Sequence, residues 1–173
     1  MNKKGQIWVE TVIYTLIAFA MIGLVLGYAK PKIEELRDKT IIEQTISMIK
    51  DIDSTILYMG GPGNQRIIDL GLKKGNLIID GERDLIYFEI ESKHVYSEPG
   101  TPIYDGNLVI YTTPKGSYNL VNITRDYSEK YNITYKYEDT IKTVTESSNP
   151  YRMVLVNKGN QGGEKMVVDL EVN

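Results

Sequence analysis

The sequence has no cysteine, one histidine, one tryptophan and two phenylalanines in 173 residues. Without cysteine there is no disulfide scaffold and no thiolate metal site. The lone histidine, His94, has no second imidazole to build a metal set, and no Gly-x-Ser-x-Gly turn to serve. It is expected as an exposed loop residue. A basic patch is also missing: 20 Lys and Arg stand against 23 Asp and Glu, a net charge of −3, which argues against nucleic acid as a partner. There is no internal repeat and no low-complexity linker. Asp80, Glu82 and Asp84 are spaced like calcium ligands but lack the rest of such a loop, so a solvated turn is expected. The glycines of Gly60-Gly61-Pro62-Gly63-Asn64 have no Lys-Ser/Thr after them, as a phosphate loop requires. No catalytic residue, cofactor or metal is assigned, and the chain reads as something other than an enzyme.

What is present begins with one long apolar run, Gln6 to Ala29, broken by a single carboxylate at Glu10. As a helix it would be roughly 36 Å long, enough to cross a hydrocarbon core of about 30 Å. A charge within such a segment costs roughly 2.5–3.5 kcal/mol to insert, so it marks function by default. Lys3 and Lys4 precede the run and Lys30 and Lys32 follow it, so charge alone hardly decides orientation. Three bland readings compete. The segment could be an uncut signal anchor, a secretory signal cut near Gly27-Tyr28-Ala29, or a buried core helix. The second needs a shorter apolar stretch than this, and the third has nothing else in the chain to surround it.

After Pro31 the apolar positions narrow to one stripe: Ile33, Leu36, Ile42, Ile46, Ile49, Ile52 or Asp53, Ile56 and Met59. Steps of three and four put these on one helix face, with Glu34, Glu35, Arg37, Asp38 and Lys39 elsewhere. One helix from Gln6 to Met59 is expected, kinked at Pro31 or restarted there, and ended by Gly60 to Asn64. Its amphipathic half should lie on the domain that follows, burying Ile46, Ile49 and Ile56.

From Arg66 the period changes to two. Strands are expected at Asn76–Asp80, Leu85–Glu91, Leu108–Thr112, Tyr118–Thr124, Tyr131–Tyr137, Thr140–Thr145, Tyr151–Val156 and Met166–Val172, with a long polar loop from Lys93 to Asn107. Thirteen tyrosines suit half-exposed strands, with an apolar ring and a wet hydroxyl. The clearest alternation puts Tyr131, Ile133, Tyr135 and Tyr137 on one face, with Asn132, Thr134, Lys136 and Glu138 on the other. Asn122-Ile123-Thr124 and Asn132-Ile133-Thr134 are N-glycosylation sequons, and both Asn122 and Asn132 should point to solvent. The fold class is α+β: a long N-terminal helix, apolar then amphipathic, followed by an antiparallel β-sheet or small sandwich.

A short basic leader, MNKKG, then Gln6, then Glu10 as the fifth residue after Gly5, then an apolar helix, resembles the class III signal peptide of archaeal type IV pilin-like proteins. The likeness covers residues 1 to about 59. Trp8 and Tyr14 stand where that family usually has Ser and Leu. The resemblance implies that a prepilin peptidase cuts between Gly5 and Gln6, and that Glu10 serves assembly. It divides the chain into a leader (1–5), an N-terminal helix (6–59, with 6–29 the transmembrane and assembly segment) and an extracellular β domain (60–173). The implied protein is a major or minor structural subunit of a pilus-like surface filament used in adhesion. Its partners would be the peptidase, the pilus assembly machinery, the membrane, and copies of itself or related pilins. Before assembly it would be a single-pass cell membrane protein with a cytoplasmic N-terminus. The alternative is a membrane-anchored ectodomain that never polymerises and binds a ligand or partner protein.

Overall fold

The computed structural model describes residues 3–173, with side chains from residue 7 onward. The architecture is α+β. Helix α1 spans Lys3–Leu57 and continues through Pro31. Pro31 does not restart the helix, although its ring removes one backbone hydrogen bond. The strands are β1 (Gln65–Leu70), β2 (Asn76–Asp80), β3 (Leu85–Ser92), β4 (Ile103–Asp105), β5 (Leu108–Lys115), β6 (Tyr118–Asp126), β7 (Tyr131–Tyr135), β8 (Ile141–Thr145), β9 (Tyr151–Gly159) and β10 (Met166–Val172). The chain divides into two compact units, one ending at Arg37 and the other spanning Asp38–Asn173.

In the first unit the helix carries its apolar side chains in the open. Ile7, Trp8, Phe19, Leu24 and Tyr28 are all more than half exposed. Ile33 and Leu36, the first two members of the amphipathic stripe, are 64% and 57% exposed. Burial of the stripe begins only in the second unit.

There, Ile42, Ile49 and Ile52 lose all solvent contact, and Ile41, Ile46 and Ile56 nearly all. They join one core with the inner faces of both sheets, among them Leu77, Ile79, Phe88, Ile123, Leu155 and Leu170. Fully burying one isoleucine is worth about 1.5–3 kcal/mol, so this row is a main tie between helix and strands. Two carboxylates complete the contact. Asp38 accepts from Lys74 Nζ at 2.5 Å and from the Lys93 backbone N–H at 2.7 Å. Asp53 accepts from Arg125 Nε at 2.6 Å and Asn107 Nδ2 at 3.1 Å. Asp38 was expected away from the buried face; its two partners are what allow a carboxylate there.

One sheet has six strands in the order β4-β5-β6-β3-β2-β8, antiparallel throughout. The other has four, in the order β1-β9-β10-β7. It is mixed rather than antiparallel, because β7 and β10 run parallel, with Asn132 opposite Val167 and Thr134 opposite Asp169. Parallel neighbours need a long crossover, which β8 and β9 supply here. Gly75, with φ +89, approaches β3 so closely that a Cβ would lie 2.5 Å from the Glu89 carbonyl. The helix is tied off by Asn157 of β9, fully buried, whose Nδ2 donates to the Gly60 carbonyl at 2.7 Å.

Several expectations are corrected. β1 and β4 form where no strand was expected, β4 inside the long loop. β7 stops at Tyr135, since Lys136 and Tyr137 take φ values of 52° and 69°, outside any strand. Tyr137 therefore leaves the shared face and is 72% exposed. Asp80 and Asp84 are buried, not solvated. Asp80 accepts from Arg83 Nε at 2.7 Å and closes the β2–β3 turn. Asp84 accepts from the Ile133 N–H at 2.8 Å and from Lys165 at 3.2 Å.

Candidate functional site

The first candidate is the open segment of α1. It is long and apolar enough to cross a membrane, and none of it is buried within the molecule. A single-pass anchor is compatible with it. From Ile7 to Ala29 the only charged residue is Glu10, which is exposed. The two hydroxyls near it are already satisfied, Thr11 Oγ1 donating to the Ile7 carbonyl at 3.0 Å and Thr15 Oγ1 to the Thr11 carbonyl at 2.8 Å. This back-bonding lets threonine sit in an apolar helix without an open donor. The Glu10 carboxylate, when ionised, has only acceptors, and both neighbouring hydroxyls are already spent on backbone carbonyls. The expected processing site, Gly5 and Gln6, lies outside the residues whose side chains are described.

The second candidate is the pair of sequons, and the structure treats them differently. Asn122 lies within β6, paired on one side with Glu89 of β3 and on the other with Tyr111 of β5. Its Nδ2 donates to Glu89 Oε1 at 3.2 Å, and Thr124 Oγ1 donates to its Oδ1 at 2.5 Å. Asn132 lies on β7, at the edge of its sheet. Both asparagines are half-buried rather than free in solvent. Thr134 is buried, and its hydroxyl donates to Asp169 Oδ1 at 2.7 Å. The Tyr137 N–H takes the same oxygen at 2.7 Å. Sequence reading missed Asp169. Its signal was a carboxylate in the middle of an apolar strand, Met166-Val167-Val168-Asp169-Leu170.

Elsewhere the β domain offers shallow, mixed surfaces. A cavity of about 480 Å³ near the end of α1 is lined by Leu57, Asn107, Arg125, Lys130 and Tyr131, among others. Tyr127, at its wall, is 2% exposed, has the Arg125 guanidinium 4.5 Å above its ring and meets Tyr131 edge-on at 6.0 Å. Burial, and after it the Asp53 carboxylate, push the Tyr127 hydroxyl well above its ordinary value. These contacts read as packing between helix and sheet. His94 is half-buried, not fully exposed, and meets Tyr96 edge-on with ring centroids 6.4 Å apart. Among the described residues no group of three or more His, Cys, Asp or Glu could hold a metal ion. Comparisons with protein-family models, with curated proteins and with solved structures returned no match.

Proposed function

We propose that this chain is a major or minor structural subunit of a type IV pilus-like surface filament, processed after Gly5 and assembled through its N-terminal helix for adhesion. The observation that carries the reading is one helix with two surfaces. Its second half is buried by the β domain, while its first half is apolar, uncovered and marked by a single carboxylate. Lipid covers that first half before assembly, and the helices of neighbouring subunits cover it afterwards. Cutting between Gly5 and Gln6 would create a terminal amine, protonated at neutral pH, four residues before Glu10. Two charges enclosed among apolar helices each cost several kcal/mol unless paired, so the amine of one subunit and Glu10 of the next neutralise each other. A subunit entering at the wrong height leaves both unpaired, which fixes the register.

The test is the N-terminus of the protein as it exists in cells. Mass spectrometry is expected to find Gln6, or its cyclised form, as the first residue. Gly5→Phe is expected to stop processing and filament formation while the chain stays in the membrane. Glu10→Gln should be processed normally yet yield few filaments. An intact Met1 on assembled protein would overturn the reading. An intact Met1 with no filament would leave an anchored ectodomain instead.

A further inference from the structure

We propose that Asn132, and not Asn122, receives an N-linked glycan, and that docking of β10 closes the period in which it can. This rests on the reading above only in placing the β domain outside the cell. The reaction joins Asn132 Nδ2 to the anomeric carbon of a lipid-linked oligosaccharide. That N–C bond forms as the bond from the same carbon to the lipid phosphate oxygen breaks. The lipid phosphate departs with the electron pair, and the amide nitrogen gives up one proton, which is released to solvent. The transferring enzyme must reach both the asparagine amide and the hydroxyl two residues on, in a backbone free to leave its ladder.

The fold separates the sequons on those requirements. Asn122 sits in an interior strand, and both of its partners, β3 and β5, precede it in the chain. A chain emerging N-terminus first can pair β6 as soon as Asp126 is out. Its amide then donates to Glu89, and strands hold it on both sides. β7 is an edge strand whose one neighbour in its sheet is β10, the last strand of the chain. The backbone of Asn132 therefore stays outside any ladder until residues 166–172 have emerged, although Asp84 can hold the neighbouring Ile133 N–H before then. Its side-chain amide has no hydrogen bond to another described residue. When β10 arrives it brings both the ladder and Asp169, which takes the Thr134 hydroxyl at 2.7 Å and buries it. The same step that completes the sheet removes the sequon from the enzyme. The glycan, once attached, is tolerated because Asn132 stands on the sheet's edge, opposite in direction to the buried Ile133.

Glycopeptide mass spectrometry of the full chain from the cells that make it should show occupancy at Asn132 severalfold above that at Asn122. Asn132→Gln should remove most of the glycan mass, and Asn122→Gln little of it. For the timing, full-length protein made without a transferase is offered to membranes of the producing cells, either folded or freshly diluted from urea. The folded chain is expected to stay unmodified at Asn132 and the unfolded chain to be modified. Equal modification of both would overturn the closing role of β10. Higher occupancy at Asn122, or none at either site in a chain whose β domain an external protease can cut, would overturn the assignment. The filament reading would survive those results, since it fails on an uncut Gly5–Gln6 bond.

Discussion

Ile49 and Ile33 lie on the same stripe in the sequence, yet the structure predicts opposite responses to the same substitution. Ile49 has no solvent exposure and packs in the core shared with both sheets; Ile33 is 64% exposed. Ile49→Ala removes buried methyl and methylene groups and leaves a cavity, at about 2–5 kcal/mol. A soluble fragment starting at Lys32 has roughly 140 residues. At about 2.1 cal/mol/K of unfolding entropy per residue, a loss of about 3 kcal/mol lowers its Tm by about 10 °C. Ile49→Asp adds an unpaired buried carboxylate and several kcal/mol more, against a total stability of about 5–15 kcal/mol, so that variant should not fold. Ile33→Asp should shift the melt by no more than about 0.5 kcal/mol, as surface substitutions do. Far-UV circular dichroism melts of the three variants beside the parent decide it. If Ile49→Asp melted with the parent, or Ile33→Asp were equally damaging, the placement of the helix on the sheets would be wrong.

Two further outcomes follow from the polar contacts. Arg125→Ala strands the Asp53 carboxylate, whose side chain is 11% exposed, and should cost about 3–5 kcal/mol in urea denaturation; Asp53→Ala in the same chain should recover part of it. Asp126 is held below the usual carboxylate range, chiefly by the Ser128 side chain, with the Ser128 N–H at 2.8 Å in support. A lowered pKa gives stability that is present above the unfolded value of about 3.9 and is lost as pH falls through the folded one. Asp126→Asn should therefore lower stability at neutral pH, converge with the parent in strong acid, and so flatten the acid limb of the stability–pH curve below about pH 4; an unchanged acid limb would refute this.

The α+β class was legible because the hydrophobic period changes once, from helical to alternating, near Arg66. The docking of Ile46, Ile49 and Ile56 was legible for the same reason. Two kinds of feature were not. The first is anything set by partners distant in sequence. Asp38 looks like one more surface charge until Lys74 and the Lys93 N–H are brought to it. Asp84 reads as a turn residue until it caps the Ile133 N–H, 49 residues away. The second is pairing direction. Nothing in Tyr131–Tyr135 reveals that its neighbour is the last strand, or that the two run parallel. β7 also ends earlier than its alternation, because alternation records which side a residue would face and not whether the ladder continues to it. In the candidate site, Glu10 needed no structure to find, since a carboxylate in an apolar run is visible by contrast. Asp169 stood in the same contrast, but its role required knowing that Thr134 lies opposite.

The two surfaces of α1 also bear on why, in the proposed filament, a subunit would leave the membrane at all. Lipid covers an apolar helix face about as well as other helices do, so apolar area alone gives little preference for either. Glu10 breaks that balance. In lipid it costs up to roughly 2.5–3.5 kcal/mol, less where it lies near the interface, and the neighbouring Thr11 and Thr15 hydroxyls are committed to their own helix and offer it nothing. Among packed subunits, in the filament reading, it meets a donor. On that proposal the carboxylate would favour the assembled state by raising the free energy of the unassembled one, with no added attraction needed along the rest of the helix. The docked half supplies the other requirement. Its isoleucine row and the Asp38 and Asp53 contacts seat that part of α1 in the β domain's core. In the proposed filament, the pull on Glu10 would thus act on a helix whose second half is already seated in the β domain.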